Sequence, residues 1–360
     1  MSTTHVHVLV VGGGPAGAAA AATAARAGAT VALVERGRPY RPKACGDALL
    51  GEAVTAIGSL GIDLAQRTDA LKPQSFRLTA PSGHARSGQV PGGCLVIARD
   101  VLDQLLRDRA AAQGADVSYR TMAITVRRRR PAGLAVETVV TARTREVVHA
   151  DAVVLAHGSS SRLSTAHDID GAAVRAPALT CYREDSGCDD LEFEFTAPLA
   201  PGYRWRFPAA EARSNVGVIQ LPGAGIPART NLVSRHRPEG PSGEPWRGGH
   251  APLWTGKGHR WHTADGVLAC GDAAGLVDPL TAEGIGSAVV SGTQAGLAAA
   301  SYALGRARSL DDYSTWVADW AATRYRPAKW RETWQKFTVG ASSEEPSSPH
   351  PSAAPPPGQR

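Results

Sequence analysis

The chain opens with two apolar runs that flank a block of small residues. The first run, His5–Val11, is rich in β-branched residues and predicts a buried parallel strand. The alanine-rich stretch from Pro15 to Ala27 predicts a helix, and Gly28 is placed to end it. Thr30–Val34 predicts a second strand. Strand, tight turn, helix and strand in this order are typical of a βαβ unit with a parallel sheet.

Three later stretches extend this pattern. Ala152–Ala156 and Val267–Cys270 are short apolar runs that end in glycine-containing turns, as buried strands do. A long run of small residues from Glu283 to Leu304 predicts a helix. These elements lie far apart in sequence, so the sheet that they form must be assembled from separate parts of the chain.

The segment that begins at Arg99 has the period of an amphipathic helix. Its apolar face consists of Val101, Leu102, Leu105, Leu106 and Ala110. On the opposite face, Asp103 and Arg107 are spaced to form an ion pair one helical turn apart. We therefore expect a helix packed on the sheet with this ion pair on its outer side.

Alternating patterns in the middle of the chain predict a second, mostly antiparallel sheet. Leu191–Phe195 and Val216–Ile219 are two of its strands. Within Tyr203–Phe207, three aromatic residues alternate with two arginines, so that the aromatic and charged side chains lie on opposite faces. Residues 221–250 are rich in Gly, Pro and Arg and predict a long loop.

Composition narrows the class of protein. The 360 residues are 43% hydrophobic and 20% charged, the balance of an ordinary globular protein with room for two domains. The net charge of +6 is mildly basic, but the cations are spread out and form no concentrated basic face. The one dense run, Arg127–Arg130, precedes Pro131, where a hairpin turn is expected. We therefore expect no nucleic-acid partner.

The cysteines and the N-terminus indicate the compartment. The five cysteines occur singly, without a CxxC pair or the histidine spacing of a zinc site, so we expect reduced thiols and no metal. The N-terminus lacks the features of a signal peptide, and no long apolar run occurs outside the glycine- and alanine-rich opening. These features predict a soluble, cytoplasmic protein without a transmembrane segment, which is compatible with a peripheral membrane contact.

The turn after the first strand carries a dinucleotide-binding pattern. Gly12, Gly14 and Gly17 form G-x-G-x-x-G between a strand and a helix, where they allow a tight turn, close approach of a pyrophosphate and close packing of the helix. The helix N-terminus, with Pro15 and Ala16, presents free N–H groups to the phosphates. After the second strand, Glu35 can accept hydrogen bonds from the adenosine ribose, and Arg36 follows it. We assign all seven residues to cofactor binding.

Three further motifs identify the family that the chain resembles. They are Gly-Asp at 271–272 followed by Pro279 and Gly-Ile-Gly at 284–286, Cys-Gly at 45–46, and Gly-Tyr-Arg-Trp-Arg-Phe-Pro at 202–208. Together they resemble the geranylgeranyl reductase family of FAD-dependent oxidoreductases, in the glutathione-reductase superfamily and related to aromatic hydroxylases and flavin halogenases. The resemblance covers most of residues 5–338.

The resemblance implies a set of FAD contacts. Asp272, after Gly271, would bind the ribityl chain, and the backbone of Gly284, Ile285 and Gly286 would approach the flavin ring. A helix N-terminus aimed at the N1 and C2 carbonyl side would stabilise the anionic reduced flavin. Relatives carry an arginine that contacts FAD at the position of Arg99, although a surface arginine at a helix start is the alternative. They also show a Cys-Gly pair near the flavin, which assigns Cys45 and Gly46 to cofactor binding.

Gly158 lies in the turn where the family usually has Ala-Asp-Gly, and this chain has His157 in place of the aspartate. In aromatic hydroxylases, that aspartate serves both FAD and NADPH, so the substitution weakens a hydroxylase assignment. We expect His157 to be a structural or flavin-edge residue rather than a general base.

The fold class expected from these patterns is α/β. It consists of a Rossmann-type FAD-binding domain of the GR2 type, an antiparallel substrate-binding sheet and C-terminal helices. The FAD-binding domain is discontinuous and spans residues 1–75, 95–165 and 262–310, and residues 76–94 and 166–261 form the substrate domain. We expect helices rich in tryptophan at 311–338 and a disordered tail at 339–360.

The chemistry expected is reduction of a carbon–carbon double bond in a hydrophobic, isoprenoid-like or natural-product substrate by reduced FAD. The candidate catalytic residues are Cys45, Tyr203 and Trp205, as pocket residues or as the proton donor. Cys45 is either a buried apolar residue or a flavin-side group, and the aromatic face is either core or a pocket wall. A water molecule is another candidate proton source.

The electron donor and the reaction have alternatives. Since only one glycine fingerprint occurs, we expect NAD(P)H to dock transiently or a separate reductase or electron donor to act. The main alternative activity is an FAD-dependent monooxygenase or dehydrogenase in natural-product tailoring. Halogenation is disfavoured, because the aromatic motif departs from that of the halogenases and only Lys43 lies in the region of their catalytic lysine.

Overall fold

The structure is a computed structural model that describes residues 3–90, 92–128, 134–140, 144–160, 163, 169, 174–184, 188–222, 234–235, 244–256 and 260–325. Its helices are α1 Pro15–Arg26, α2 Gly51–Ser59, α3 Arg99–Ala112, α4 Ile285–Ala303 and α5 Asp311–Arg324. Its strands are β1 Thr3–Val11, β2 Val31–Glu35, β3 Ala48–Leu50, β4 Ser75–Thr79, β5 Ala85–Gln89, β6 Cys94–Val96, β7 Asp116–Tyr119, β8 Thr121–Arg128, β9 Leu134–Val140, β10 Thr144–Leu155, β11 Arg175–Glu184, β12 Leu191–Glu194, β13 Tyr203–Ala209, β14 Arg213–Ile219, β15 Arg247–Pro252 and β16 Val267–Ala269.

The first sheet has the order β7-β2-β1-β10-β9-β8, and β16 pairs with β10. Strands β7, β2, β1, β10 and β16 run parallel, because each is reached through a crossover. The long strand β10 pairs antiparallel with β9 through its first half and parallel with β16 at its end. The carboxyl ends of β1, β10 and β16 therefore meet at one edge of the sheet. The α/β Rossmann-type fold expected from the sequence is confirmed.

Helices α1 and α4 pack on this sheet with almost no side chain between them. A Cβ added to Gly292 would lie 2.1 Å from the carbonyl oxygen of Ala16, and one added to Gly296 would lie 2.3 Å from that of Ala20. Helix α1 is buried continuously from Pro15 to Ala24. Its alanine-rich sequence follows from this burial, since larger side chains would force the sheet and α4 apart.

The second sheet has the order β15-β11-β14-β13-β12-β4-β5 and is antiparallel except for the pair β12–β4. Strands β4 and β5 come from residues 75–89, so the region 76–94 does add strands to this sheet. The sequence predicts a loop up to residue 250, but strand β15 already begins at Arg247 and pairs with β11, so the loop ends earlier than expected.

Several predictions concern residues outside the described ranges. These are the hairpin turn at Arg129 and Arg130, the tryptophans Trp330 and Trp334, and the tail 339–360. The flanking strands β8 and β9 do pair antiparallel. Within the described part of the chain, no helix is both long enough and apolar enough to cross a membrane.

We expect Gly292→Ala to destabilise the protein by about 1–3 kcal/mol, because the new methyl group would meet the backbone of α1. Gly58→Ala is the matched control. Gly58 lies exposed in α2 with nothing within 4 Å of its added Cβ, so alanine there should stabilise the protein by about 0.5–1 kcal/mol. Urea unfolding midpoints measure both changes. Equal effects of the two substitutions would contradict the close packing of α1 and α4.

Candidate functional site

A cavity of about 790 Å³ opens at the edge of the first sheet where the parallel strands end. One side is formed by the N-termini of α1 and α4 and by the turn at Gly271–Ala274, and the other side by the second sheet. The loop over residues 41–48 lies along it. Ligands of doubly wound α/β proteins bind in this position, outside the carboxyl ends of the strands.

A smaller cavity of about 210 Å³ continues from the first toward β2. Gly14, Arg36, Lys43 and Gly158 line both cavities, so the two form one elongated cleft. The smaller cavity also contains Glu35, whose carboxylate accepts hydrogen bonds from the backbone N–H groups of Gly13 at 2.7 Å and Gly37 at 2.6 Å.

The three fingerprint glycines have different physical roles. Gly12 has φ of +105°, and an added Cβ would lie 2.4 Å from the carbonyl oxygen of Ala156. At Gly17 an added Cβ would lie 1.8 Å from the carbonyl oxygen of Gly12. At Gly14 nothing lies within 4 Å, because this position faces the cleft. Gly12 and Gly17 therefore serve the packing of the turn, whereas Gly14 leaves space for a ligand.

The predicted ion pair between Asp103 and Arg107 is wrong. Asp103 instead pairs with Arg99, with its Oδ1 at 3.0 Å from Arg99 Nε, and both side chains are buried. Arg107 is also buried and donates from Nη1 to the carbonyl oxygen of Gly13 at 2.9 Å. The helical period placed these residues on a polar face, but that face packs against the nucleotide turn and is not solvated.

The residues around the turn after β16 converge on the larger cavity. Asp272 lines it, and the Lys43 Nζ lies 4.0 Å from the Asp272 Oδ2. The N-terminus of α4 is formed by Gly284 and Ile285, which both line the cavity. Glu283 accepts a hydrogen bond from Gly286 N at 2.7 Å, and Arg324 of α5 forms an ion pair with Glu283 at 3.1 Å.

The aromatic face of β13 is both core and pocket wall. Tyr203, Trp205 and Phe207 are only 6–8% exposed, and all three line the larger cavity. Phe193 of β12 adds an edge-on contact with Phe207, their ring centroids 5.0 Å apart. The wall packs closely against the loop over residues 41–48, since an added Cβ at Gly46 would lie 2.8 Å from the ring of Phe207. The end of the cleft away from α1 is therefore apolar.

A buried polar cluster that the sequence analysis did not identify adjoins this wall, and its members Asp47, Cys45 and Thr180 line the same cavity. Asn215 of β14 is its centre. Its Oδ1 accepts hydrogen bonds from Trp205 Nε1 at 3.0 Å and from Thr180 Oγ1 at 2.8 Å. Its Nδ2 donates to the carbonyl oxygen of Cys45 and to Asp47 Oδ2, each at 2.8 Å. The Tyr182 hydroxyl also donates to Asp47 Oδ2.

Burial changes the pKa values of the titratable groups in and beside this cluster. It raises the pKa of Asp47 to about 6, against the opposing hydrogen bonds from Tyr182 and Asn215, which favour the carboxylate. Burial also raises the pKa of the Cys45 thiol, although the charge of Arg99 acts in the other direction. The pKa of Tyr203 is likewise raised by burial. Its hydroxyl donates to the carbonyl oxygen of Thr281.

The predicted residues outside this cluster line the cleft, with three exceptions, all of them glycines. Gly17 and Gly271 do not line it, because their missing Cβ atoms make room for Gly12 and Ala16 respectively. Gly286 is a third such residue, packed near Ala53. His157 lines the smaller cavity with its Nδ1 2.9 Å from the Gly158 oxygen, and burial lowers its pKa. The individual roles of these residues stay predictions.

The cleft has the features that FAD requires. The N-terminus of α1 carries no side-chain cap and no acidic residue in its first turn, which leaves it suited to a pyrophosphate. The space beside Gly14 admits the phosphates, and the two joined cavities match a molecule with an adenosine end and a flavin end. Among the described residues, no cluster of three or more His, Cys, Asp or Glu side chains could hold a metal ion.

Comparisons with known proteins agree with this geometry. The sequence profile of the pyridine nucleotide-disulphide oxidoreductase family matches residues 6–186. A digeranylgeranylglycerophospholipid reductase from Methanothrix thermoacetophila is 33% identical over 317 residues, 80% of this chain and 76% of that protein. A menaquinone reductase from Mycolicibacterium smegmatis is 32% identical over 310 residues, 78% of this chain and 73% of that protein.

A solved structure shares the fold. The geranylgeranyl bacteriochlorophyll reductase-like protein of Thermoplasma acidophilum superimposes with a TM-score of 0.73 at 23% sequence identity. The superposition covers 95% of this chain and 88% of that one. At this identity the likeness concerns the arrangement of helices and strands.

We expect Gly14→Ala to weaken FAD binding at least tenfold, about 1.4 kcal/mol, without changing the urea midpoint of the apoprotein. The reason is that its methyl group would enter the space for the phosphates and touch no protein atom. Gly17→Ala is the matched control, since it should lower the stability of the apoprotein by clashing with the Gly12 backbone. Fluorescence titration with FAD measures affinity. Unchanged affinity in Gly14→Ala would mean that the pyrophosphate binds elsewhere.

The raised pKa of Asp47 predicts a pH-dependent stability. The folded-state pKa of about 6 exceeds the ordinary aspartate value of 3.8, so the neutral form is favoured by folding and its stabilisation is complete below pH 3.8. It is lost as pH rises through about 6. Relative to Asp47→Asn, the unfolding free energy of the wild type should fall by about 3 kcal/mol over this range, at ~1.4 kcal/mol per pKa unit.

Chemical denaturation at a series of pH values measures this difference, and Asp69→Asn is the control with the opposite sign. The Arg67 hydrogen bond holds the pKa of Asp69 below its usual value, so that its stabilisation is lost as pH falls. A flat difference between the wild type and Asp47→Asn would show that Asp47 titrates as in the unfolded chain.

Proposed function

The chain belongs to the pyridine nucleotide-disulphide oxidoreductase family and, within it, to the geranylgeranyl reductase-like FAD-dependent oxidoreductases, and on that premise we propose that it reduces a carbon–carbon double bond in an isoprenoid-like chain. The observation that carries this proposal is the apolar end of the cleft. There Phe193, Tyr203 and Trp205 wall the space that continues from the predicted flavin position at Asp272 and Gly284.

The names of the relatives support the substrate class. One is a reductase of a digeranylgeranyl lipid and another is a reductase of menaquinone. An aromatic and aliphatic wall suits such a substrate, because burying an apolar chain is favourable by about 25 cal/mol per Å² and needs no polar partners. This supports a hydrophobic substrate of extended shape, without distinguishing a lipid from a quinone side chain.

Reduced FAD supplies the hydride when it is bound. The residues of this chain would hold the cofactor through the α1 N-terminus, Glu35 and Asp272. They would also place the substrate double bond between the α4 N-terminus and the wall on β13, which shields that space from water on one side. We propose that the electrons come from NAD(P)H that docks transiently or from a separate reductase.

The test begins with anaerobic reduction of the holoprotein by NADPH and, in parallel, by dithionite, followed by mixing with geranylgeraniol or menaquinone. We expect flavin reoxidation together with a product whose isoprenoid chain has gained two hydrogen atoms for each bond reduced, located in the chain rather than on the quinone ring by fragment-ion mass spectrometry. In a second mixing, with oxygenated buffer alone, a transient flavin hydroperoxide spectrum and no alkene reduction would instead identify a monooxygenase.

Two variants on the paired strands β12 and β13 test the substrate wall, which is formed by Phe193, Tyr203 and Trp205. Phe193→Asp should raise KM for the isoprenoid probe at least tenfold and leave the flavin content unchanged, because a carboxylate would face the apolar end of the cavity. Arg204→Ala is the control, since Arg204 points away from the wall and pairs with Glu194 at 3.3 Å. If both variants kept the wild-type KM, the substrate would not lie along this wall.

A further inference from the structure

The inference concerns Asp47, a buried carboxyl group in the wall of the larger cavity. Its backbone has φ of +65°, in the left-handed region that costs energy for a residue other than glycine. This conformation is held from both sides. The Asp47 N–H donates to Cys45 Sγ at 3.2 Å, and its carbonyl oxygen accepts from Ile97 N at 3.2 Å. The fold thus holds an acidic side chain at the cavity in a specific orientation.

The hydrogen bonds of the cluster distinguish the two carboxyl oxygens of Asp47. An indole N–H can only donate, so the contact with Trp205 fixes the Asn215 amide with its oxygen toward Trp205 and its nitrogen toward Asp47. Asn215 Nδ2 and the Tyr182 hydroxyl both donate to Asp47 Oδ2. Within the described residues, no hydrogen bond is made to Oδ1. With the Tyr182 hydroxyl donating to Oδ2, the oxygen left to carry the proton in the neutral acid is Oδ1.

We propose that Asp47 is the general acid of the reaction and donates its Oδ1 proton to the substrate, with Tyr182 and Asn215 as positioning residues. This inference rests on the proposed function. Asp47 gives its proton to one alkene carbon, which binds it with the electron pair of the broken π bond. The other carbon takes the hydride that reduced FAD supplies. The alkene is reduced, FAD is oxidised, and the Asp47 carboxylate regains a proton from solvent.

Two of the candidate catalytic residues, Tyr203 and Cys45, are less suited as proton donors. The Tyr203 hydroxyl is already committed to the carbonyl oxygen of Thr281, and burial raises its pKa. The Cys45 thiol also has a raised pKa, and its sulfur accepts a hydrogen bond from Asp47 N. A general acid works best with a pKa near the working pH, and a carboxyl group with a pKa of about 6 meets that condition.

The charged and titratable groups that face Asp47 come from three parts of the fold. Arg99 and Asp100 lie at the start of α3, Tyr182 lies on β11, and Cys45 precedes Asp47 in its own loop. The hydrogen bond from Tyr182 lowers the pKa of Asp47. Removing that hydroxyl should therefore keep Asp47 protonated to a higher pH, whereas a purely structural role of Tyr182 gives no such shift.

The experiment compares wild type, Asp47→Asn and Tyr182→Phe. Infrared difference spectra of the three apoproteins, recorded against pH, report the carbonyl stretch of a buried neutral carboxyl group. We expect this band in the wild type to disappear as pH rises through about 6, to be missing in Asp47→Asn, and to persist to higher pH in Tyr182→Phe. This measurement needs neither flavin nor substrate.

The second measurement is a single turnover of each holoprotein, reduced with dithionite and mixed anaerobically with geranylgeraniol at each pH. The Asp47→Asn rate should be at least about 100-fold lower than that of the wild type, with normal flavin content. The Tyr182→Phe rate should decline at the same higher pH at which its infrared band disappears. Asp69→Asn, a change at an exposed carboxylate that does not line the cleft, should leave the wild-type rate unchanged.

Two outcomes would overturn the inference while the proposed function stands. One is reduction of the probe by Asp47→Asn at the wild-type rate, and the other is a Tyr182→Phe rate profile that does not move with its infrared band. If the wild type binds FAD, shows the infrared band and reduces neither geranylgeraniol nor menaquinone, the proposed function fails and the role of Asp47 in it fails too.

Discussion

The contact between the backbones of α1 and α4 is the constraint on which the cofactor cleft depends. Gly292 and Gly296 let α4 approach the carbonyl oxygens of Ala16 and Ala20, and Gly271 makes room for the Ala16 side chain. Because the two helices meet without intervening side chains, their N-termini reach the same edge of the sheet as the Asp272 turn. Two positive helix ends and a carboxylate then face one cleft, although they come from opposite ends of the chain.

A second connection joins this cleft to the antiparallel sheet. Asn215 on β14 binds the carbonyl oxygen of Cys45 and the carboxyl group of Asp47, so it fastens the loop beside the cleft to the second sheet. The loop can come that close only because Gly46 and Gly217 leave space for the aromatic side chains of β13, Trp205 among them. Hydrogen bonds and close packing at the same place hold the substrate wall at a fixed distance from the predicted flavin position.

The elements with a strong local pattern could be predicted from the sequence, and the contacts between distant elements could not. The βαβ opening, the fingerprint at Gly12–Gly17 and the Rossmann-type class were visible because each depends on neighbouring residues. Helix α3 shows the limit. Its period located the helix, but Asp103 and Arg107 lie on a face that is buried by the nucleotide turn, and only the tertiary packing reveals this. The periodicity of a helical sequence shows which residues share a face of the helix. It does not show whether solvent or another part of the protein covers that face.

The Asp47 cluster was missed for the same reason. Tyr182 is 135 positions from Asp47 in the sequence and Asn215 is 168 positions away, and no spacing rule relates residues so far apart. Trp205 was noticed for its aromatic ring, as a candidate for the wall. Its N–H has a further effect, since an indole can only donate and therefore sets the orientation of Asn215 and the direction of the hydrogen bond from Asn215 to Asp47. A residue that shapes the apolar wall thus also fixes a hydrogen-bond donor on one oxygen of the buried acid and favours the other oxygen for its proton.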